Sequence, residues 1–275
     1  YILTYGAYIF VLRFIYCGTA QLKRRIFMRG FLRGENAVFY RKLFSLVLPV
    51  AFQQFMLAVV NASDALMLGV ISQDALSAAS LAGQITFVFN LFMGGLTMGT
   101  SILAAQYFGK GDTGAIEKIF GYVAKISLIT AAPFFAASML APRALMLIFT
   151  DDAALISGGV DYLRFVAASY LFTALSQIYL CVLKNTGFAV KSMVIGSSAV
   201  VINLFLNAAL IYGLACFPRM EIAGAALATS VAKFIELAWA YAESLRAGRV
   251  RLRAHCFISA EKWLASDYWR YTAPI

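Results

Sequence analysis

Hydrophobic residues fill six long stretches of the sequence, and polar residues cluster between them. From Leu43 onward the apolar stretches are 43–70, 76–108, 119–142, 163–184, 192–213 and 222–243. Each reaches the ~20 apolar residues that an α-helix needs to cross a ~30 Å hydrocarbon core. The strict polar–apolar alternation of a membrane β-barrel does not occur in the sequence. The pattern predicts an all-α polytopic membrane protein with a lobe of six transmembrane helices.

The connections between these stretches are short and polar. Because short links leave consecutive spans as antiparallel neighbours, the six helices are expected to form one bundle. The predicted links are Ser72–Ala75, Gly109–Asp112, an acidic stretch around 150–152, and Lys184–Lys191.

Composition supports a membrane location. Hydrophobic residues make up 62% of the 275 residues, charged residues 13%, and the mean hydropathy is +0.79. A soluble cytosolic enzyme of this size could not bury so much apolar surface, so that class is excluded. The net charge is +10, and the basic residues lie between long uncharged stretches. This distribution predicts anionic membrane lipid headgroups as the partner, and not nucleic acid.

Basic residues also predict the orientation. Most lie before the first span, in the second and fourth links, and after the last span, whereas the other side has three, Arg143, Arg164 and Arg219. Cytoplasmic loops carry the excess of Lys and Arg. We therefore predict a multi-pass protein of the plasma membrane with both ends cytoplasmic.

Asp64 is the clearest polar residue inside a predicted span. A charged side chain at the bilayer centre costs ~2.5–3.5 kcal/mol on insertion scales, so its presence needs a reason. Asn61 lies three residues earlier and shares its helix face. We predict that Asp64 faces a cavity; the alternative is that it lies just beyond the outer membrane boundary.

Two later spans add further polar side chains. Span five carries Asn203 and Asn207 on one face, and span six carries Thr229. Carboxylate, amide and hydroxyl oxygens suit a hard monovalent cation, and a carboxylate can also bind a proton. Hydrogen bonding between helices is the alternative role for the asparagines. We interpret Lys233 and Glu236, three residues apart, as a structural ion pair.

Catalytic chemistry finds little support. The single histidine, His255, lies in a basic hydrophilic stretch, and no histidine falls in a predicted span. The four cysteines match no metal or redox spacing and are interpreted as packing residues: Cys17, Cys181, Cys216 and Cys256. No Ser or Cys has an evident base nearby. We predict no catalytic residues and no resident metal.

The two ends of the sequence suggest a domain organisation. Tyr40-Arg41-Lys42 precedes Pro49, and Tyr268-Trp269-Arg270 precedes Pro274 about one six-helix unit later. Transporters are often built from two such repeats. We predict a basic segment at 1–39, a six-helix lobe at 40–246, and a cytoplasmic linker at 247–275 leading to a second lobe. Residues 1–27 are interpreted as sequence outside the native protein; a piece of a preceding helix and an interfacial anchor are the alternatives.

A series of motifs, in order from about Tyr40 to Ile275, resembles the multidrug and toxic compound extrusion (MATE) transporters. The matching motifs are Asn61-Ala62-Ser63-Asp64-Ala65-Leu66-Met67-Leu68-Gly69, Ala104-Ala105-Gln106-Tyr107-Phe108-Gly109-Lys110-Gly111-Asp112, Asp161-Tyr162-Leu163-Arg164, Lys184-Asn185-Thr186-Gly187, Asn203-Leu204-Phe205-Leu206-Asn207, Ile211-Tyr212-Gly213 and Gly224-Ala225-Ala226-Leu227-Ala228-Thr229. Each motif is loose alone, but their order and spacing together are specific.

The resemblance implies a twelve-helix antiporter of two six-helix lobes, of which this chain covers the amino-terminal one. It implies that Asp64 binds H⁺ or Na⁺ and couples its entry to export of cationic amphipathic compounds. Asn203, Asn207 and Thr229 are implied to line the same site and would hold Na⁺ if sodium is the coupling ion. In one branch of the family the position of Asn207 is an aspartate, so this site has less negative charge. No cofactor besides the coupling ion is implied.

Three alternatives stay open at this point. A lipid-linked saccharide flippase of related fold should have several basic residues along its cavity, and only Lys233 lies mid-span. A membrane-embedded transferase needs a catalytic histidine or paired carboxylates. The 275-residue chain could also be inactive without a second lobe. The substrate and the choice between H⁺ and Na⁺ are not decided by the sequence.

Overall fold

Long α-helices make up nearly all of the described structure. The structure is a computed structural model and describes residues 37–213, 219–246, 250, 268–270 and 272. The helices are α1 (Ala37–Ile71), α2 (Gln73–Gly109), α3 (Thr113–Leu140), α4 (Pro142–Leu147), α5 (Ala153–Leu183), α6 (Ala189–Tyr212) and α7 (Glu221–Ser244), with a π-helical turn (Lys184–Phe188) between α5 and α6.

The six predicted spans each fall on one long helix. Among the described residues, five continuous apolar helical stretches are long enough to cross a membrane, and one of them, Ala153–Tyr212, contains both α5 and α6. The chain folds back between these two helices. A hydrogen bond of 3.1 Å from the Ser192 hydroxyl to the Leu180 carbonyl shows this. Twelve residues of straight helix would separate those groups by ~18 Å. Gly187, with φ 87°, lies in the turn.

Polar side chains set where several helices begin. The Ser72 hydroxyl accepts a hydrogen bond from the Ala75 amide at 2.9 Å. Asp112 caps α3 and Asp152 caps α5 in the same way. A cap satisfies backbone amides that have no partner inside the helix. The predicted link Ser72–Ala75 is therefore shorter than expected, since α2 already begins at Gln73.

The short helix α4 was not predicted. Pro142 is its first residue, a position where the missing amide hydrogen of proline loses no hydrogen bond. The long predicted link around residues 150–152 is thus part helix and part loop, and the loop ends where Asp152 caps α5.

The chain divides between Leu48 and Pro49 into two units. The structure describes the beginning of α1 in the first unit. The second unit, Pro49–Ile275, contains the rest of α1, all the other helices and every residue of the site described below.

Helix α5 lies at the centre of the second unit and packs against α2, α3 and α7. Tyr170, which is 1% exposed, packs edge-on against Phe89 of α2 at a ring-centroid distance of 5.0 Å. Phe134 of α3 contacts both rings. The Tyr170 hydroxyl forms a hydrogen bond with the Thr86 hydroxyl at 3.0 Å. These contacts make α5 the scaffold on which the other helices are placed.

Helices α6 and α7 approach each other closely near the turn that joins them. Gly224 of α7 faces the Leu210 backbone of α6, and a Cβ at this position would lie 2.9 Å from the Leu210 carbonyl. The Met220 amide donates to the Leu210 oxygen at 2.9 Å. The close approach brings the polar residues of α6 and α7 within hydrogen-bond range.

The end of the predicted linker 247–275 packs against the bundle. Tyr268 is fully buried, and its hydroxyl donates to the Leu96 carbonyl of α2 at 2.9 Å. Thr272 lies against Gly99, where a Cβ would overlap its hydroxyl. The proposed domain boundaries stay predictions; residues 1–27, Cys17, Cys216, Cys256 and His255 lie outside the described residues.

Candidate cation site

Asp64 of α1 faces the bundle. It is partly buried, and one oxygen of its carboxylate accepts a hydrogen bond from the Asn207 amide nitrogen of α6 at 2.5 Å. Charge-assisted hydrogen bonds of this kind are shorter and stronger than neutral ones. The contact joins two helices through the acid that the sequence singled out.

A chain of hydrogen bonds extends from Asp64 across three helices. The Asn207 nitrogen also donates to the Asn203 side-chain oxygen at 3.3 Å. The Asn203 nitrogen donates to the Thr229 hydroxyl of α7 at 3.4 Å. Thr229 in turn donates to the Ala225 carbonyl at 3.0 Å. Four of the five predicted binding residues therefore form one cluster, which we call the Asp64 cluster: Asp64, Asn203, Asn207 and Thr229.

Asn207 carries a buried oxygen without a partner. The residue is fully buried, and its Oδ1 forms no hydrogen bond with any described residue. An unsatisfied buried acceptor costs about 1–3 kcal/mol. This oxygen, beside the Asp64 carboxylate, would be satisfied by a protonated group, an ammonium or a metal cation.

Asn61, the fifth predicted residue, does not join these hydrogen bonds. It is exposed on α1, whereas Asp64 one turn later is partly buried. The i,i+3 spacing puts both on neighbouring positions of the helix surface, but the face toward α6 is centred on Asp64. A role for Asn61 stays a prediction.

Lys233 and Glu236 form an ion pair on α7. The Lys233 nitrogen lies 2.7 Å from a Glu236 oxygen, with the side chains 26% and 4% exposed. The predicted pairing is present in the structure. Its structural role stays a prediction.

Gln53 of α1 is a further polar side chain that faces the bundle, and it was not among the predicted residues. Its side chain lies against Gly196 of α6, where a Cβ would overlap the Gln53 amide. Eleven residues separate Gln53 from Asp64, close to three full helical turns, so both side chains lie on one face of α1. That spacing could have identified Gln53 as a residue facing the bundle.

The donor set of the Asp64 cluster suits a small monovalent cation. It offers one carboxylate, amide oxygens and a hydroxyl, all hard oxygen ligands. The described residues contain no group of three or more His, Cys, Asp or Glu that could hold a transition or divalent metal. The cluster has one negative charge, so a single bound proton or Na⁺ neutralises it.

A bundle of membrane-length apolar helices with a polar cluster between three of them is the architecture of an integral membrane protein. The family model MatE matches residues 49–209, more than half of the chain. The chain belongs to the MatE family, which the motifs of the sequence resemble and whose members are transporters and not enzymes.

Known relatives are longer than this chain. The probable multidrug resistance protein NorM of Thermotoga maritima is 23% identical over 75% of this chain and 45% of its own length. The probable multidrug resistance protein NorM of Burkholderia pseudomallei is 30% identical over 68% of this chain and 40% of its own length. The chain thus spans less than half the length of these curated relatives.

Solved structures share the fold. A crystal structure of MATE in the bent conformation matches with a TM-score of 0.76 at 19% identity, covering 88% of this chain and 53% of that one. The predicted six-helix lobe of a MATE-like protein is therefore confirmed as the fold.

Proposed function

We propose that residues 40–246 form the amino-terminal lobe of an antiporter that exports cationic amphipathic drugs or toxins in exchange for H⁺ or Na⁺. Relatives described as multidrug resistance proteins support this function. The match to about half of the MATE structures supports a second six-helix lobe as the partner of this one. The linker at 247–275 would lead to that lobe.

The observation that carries the proposal is the Asp64 cluster. A carboxylate at membrane depth, bonded to Asn207 beside an unpartnered oxygen, is a place for a cation. An organic cation is attracted by the Asp64 charge while the carboxylate is ionised. Binding of H⁺ or Na⁺ at Asp64 removes that charge and weakens the attraction, which favours release of the organic cation.

Reciprocity makes the coupling run both ways. If the coupling ion weakens substrate binding by some factor, the substrate weakens binding of the coupling ion by the same factor. Asn207 is neutral, whereas one branch of the family has an aspartate at this position. The cluster therefore has a single negative charge, that of Asp64, and two bound cations would leave it with a net positive charge. This supports a competitive exchange of one cation for another at this lobe.

The remaining parts of the proposal follow from the charge distribution. The excess of Lys and Arg outside the spans supports a plasma-membrane protein with both ends in the cytoplasm. The coupling ion, H⁺ or Na⁺, would then be released to the cytoplasm at the end of the bundle where α7 ends.

The test is transport by the intact protein with Asp64→Asn. Asparagine keeps the size of the side chain and can still bond to Asn207, so the fold should be retained while the charge is lost. We expect ion-driven export of ethidium, a fluorescent organic cation, from proteoliposomes to fall at least about tenfold, since a membrane-depth charge interaction exceeds 1.4 kcal/mol.

The matched control is Asp74→Asn, the same chemical change on an exposed acid at the start of α2. This variant should export ethidium as the unmodified protein does. Undiminished ion-driven export by Asp64→Asn would rule the proposal out.

A further inference from the structure

The Lys233–Glu236 pair lies on α7, the helix that contributes Thr229 to the Asp64 cluster. Glu236 is 3% exposed and is bonded to the Lys233 ammonium at 2.7 Å. A buried ion pair contributes little net stability compared with apolar residues of the same size. The stability of the helix bundle therefore does not by itself explain two charges at this depth.

The spacing along α7 aligns the pair with the cluster. Lys233 and Glu236 follow Thr229 by four and seven residues, which places all three within about 60° around the helix axis. At 1.5 Å per residue the Lys233 backbone lies ~6 Å, and the Glu236 backbone ~10 Å, further along α7 than Thr229. Thr229 connects α7 to the Asp64 cluster, because its hydroxyl accepts a hydrogen bond from Asn203.

The direction of helical side chains gives Lys233 access to the cluster. Side chains in an α-helix lean toward its amino-terminal end. For Lys233 that direction points to Thr229, one turn earlier, and for Glu236 it points to Lys233. The ion pair thus holds a flexible ammonium that would otherwise extend toward the Asp64 cluster.

The ammonium of Lys233 belongs to the same chemical class as the cation that the cluster is proposed to bind. It is a monovalent cation with three hydrogen-bond donors, and the cluster offers one carboxylate and the unpartnered Asn207 oxygen. Glu236 competes with the cluster for this ammonium. Moving the Lys233 ammonium one helical turn toward the amino end of α7 would exchange the Glu236 carboxylate for Thr229, the near end of the Asp64 cluster.

We propose that Lys233 is an internal competitor for the cation site and that Glu236 sets how strongly it competes. The inference rests on the proposed function, because it takes the Asp64 cluster to bind cations. In this arrangement Lys233 determines cation affinity through its charge, and Glu236 acts through Lys233 as a positioning residue.

The test is the affinity of the purified intact protein for ethidium, measured by fluorescence. Glu236→Gln releases the ammonium toward Asp64 and should weaken ethidium binding at least about tenfold. Lys233→Met removes the competitor and should tighten binding at least about threefold. The double variant should lie within about threefold of the unmodified protein, because both charges are gone.

If Lys233 competes for the site, Glu236→Gln and Lys233→Met change ethidium affinity in opposite directions, and this distinguishes the competing role from a structural one. Loss of either partner of a structural pair leaves an uncompensated buried charge and would weaken binding in both cases. Single variants that both weaken binding, or that both leave it unchanged, would overturn the inference. Thermal unfolding of each variant checks that it is folded. If Glu236→Gln does not fold, the affinity of Lys233→Met for ethidium decides: tighter binding supports the inference, and weaker or unchanged binding overturns it.

An ion pair at the carboxyl end of α7 supplies the control. Arg246 and Glu243 pair at 3.1 Å with the same three-residue spacing, and Glu243 is as buried as Glu236. Arg246 lies ~25 Å along the helix from Thr229, so Arg246→Met should leave ethidium affinity unchanged. Asp64→Asn separates the two proposals: if it does not change ethidium affinity, the proposed function itself fails.

Discussion

Helices α1 and α5 are similarly apolar, yet they differ sharply in burial. In the most apolar part of α1 6% of the residues are buried, whereas the corresponding share for the α5–α6 stretch is 50%. Helix α5 packs against helices on several sides and holds Tyr170 in an aromatic cluster. Apolar length therefore predicts that a helix can cross the membrane, but not how firmly it is held.

Helix α1 contacts the rest of the second unit at only a few described places. They include Gln53 against Gly196, Asp64 with Asn207, Met67 with Tyr212, and Leu68 with Ile211 and Ala225. Two of these contacts use polar side chains of α1, Gln53 and Asp64, which lie on one face of the helix. The acid proposed to bind the coupling ion is thus on a helix that makes few contacts with the rest of the unit, and its hydrogen bond to Asn207 is one of them.

The largest expected effect comes from truncating the centre of α5. Tyr170→Ala removes a ring that contacts Phe89 and Phe134 and leaves a cavity, so we expect about 3–5 kcal/mol of lost stability. The measurement is thermal unfolding of the purified protein in detergent. The same truncation on α1, Leu66→Ala, removes a side chain that is 71% exposed and should change stability by less than about 0.5 kcal/mol.

Equal losses of stability in these two variants would contradict the contrast between α1 and α5. A loss in Leu66→Ala close to that of Tyr170→Ala would mean that α1 is held as firmly as the scaffold.

A smaller effect is expected from adding a single methyl group at two glycines of the lobe. Gly224→Ala brings a Cβ to 2.9 Å from the Leu210 backbone, which cannot yield without moving α6, so we expect about 1–3 kcal/mol of destabilisation. Gly196→Ala meets the far end of the flexible Gln53 side chain of α1 and should cost under about 1 kcal/mol.

Thermal unfolding of both glycine variants under one condition checks this prediction. A larger loss for Gly196→Ala than for Gly224→Ala would show that the α1–α6 contact is rigid, contrary to the account.

The helices themselves were predictable because their lengths follow from apolar runs. The ends of the helices were less predictable. Helix α5 begins at Ala153, ten residues before the predicted span 163–184, because the helix extends past Asp161 to its cap at Asp152. The short helix α4 was missed because six residues give no periodic signal.

The candidate site was predictable in its residues but not in its contacts. Asn203 and Asn207 share a face by spacing alone, whereas the pairing of Asn207 with Asp64 joins residues 143 positions apart and depends on how α1 packs on α6. Gln53 was missed since an amide in an apolar run has no charge to draw attention to it. The ion pair of Lys233 and Glu236 is local, and its spacing was enough to predict the contact.

The central claim is that one carboxylate serves both the coupling ion and the substrate cation. It is tested most directly by measuring ethidium affinity in the purified intact protein over a range of Na⁺ concentration and of pH, with and without Asp64→Asn. We expect ethidium affinity to fall as the Na⁺ or H⁺ concentration rises in the unmodified protein, and Asp64→Asn to show neither dependence. The same dependence in both proteins would contradict it.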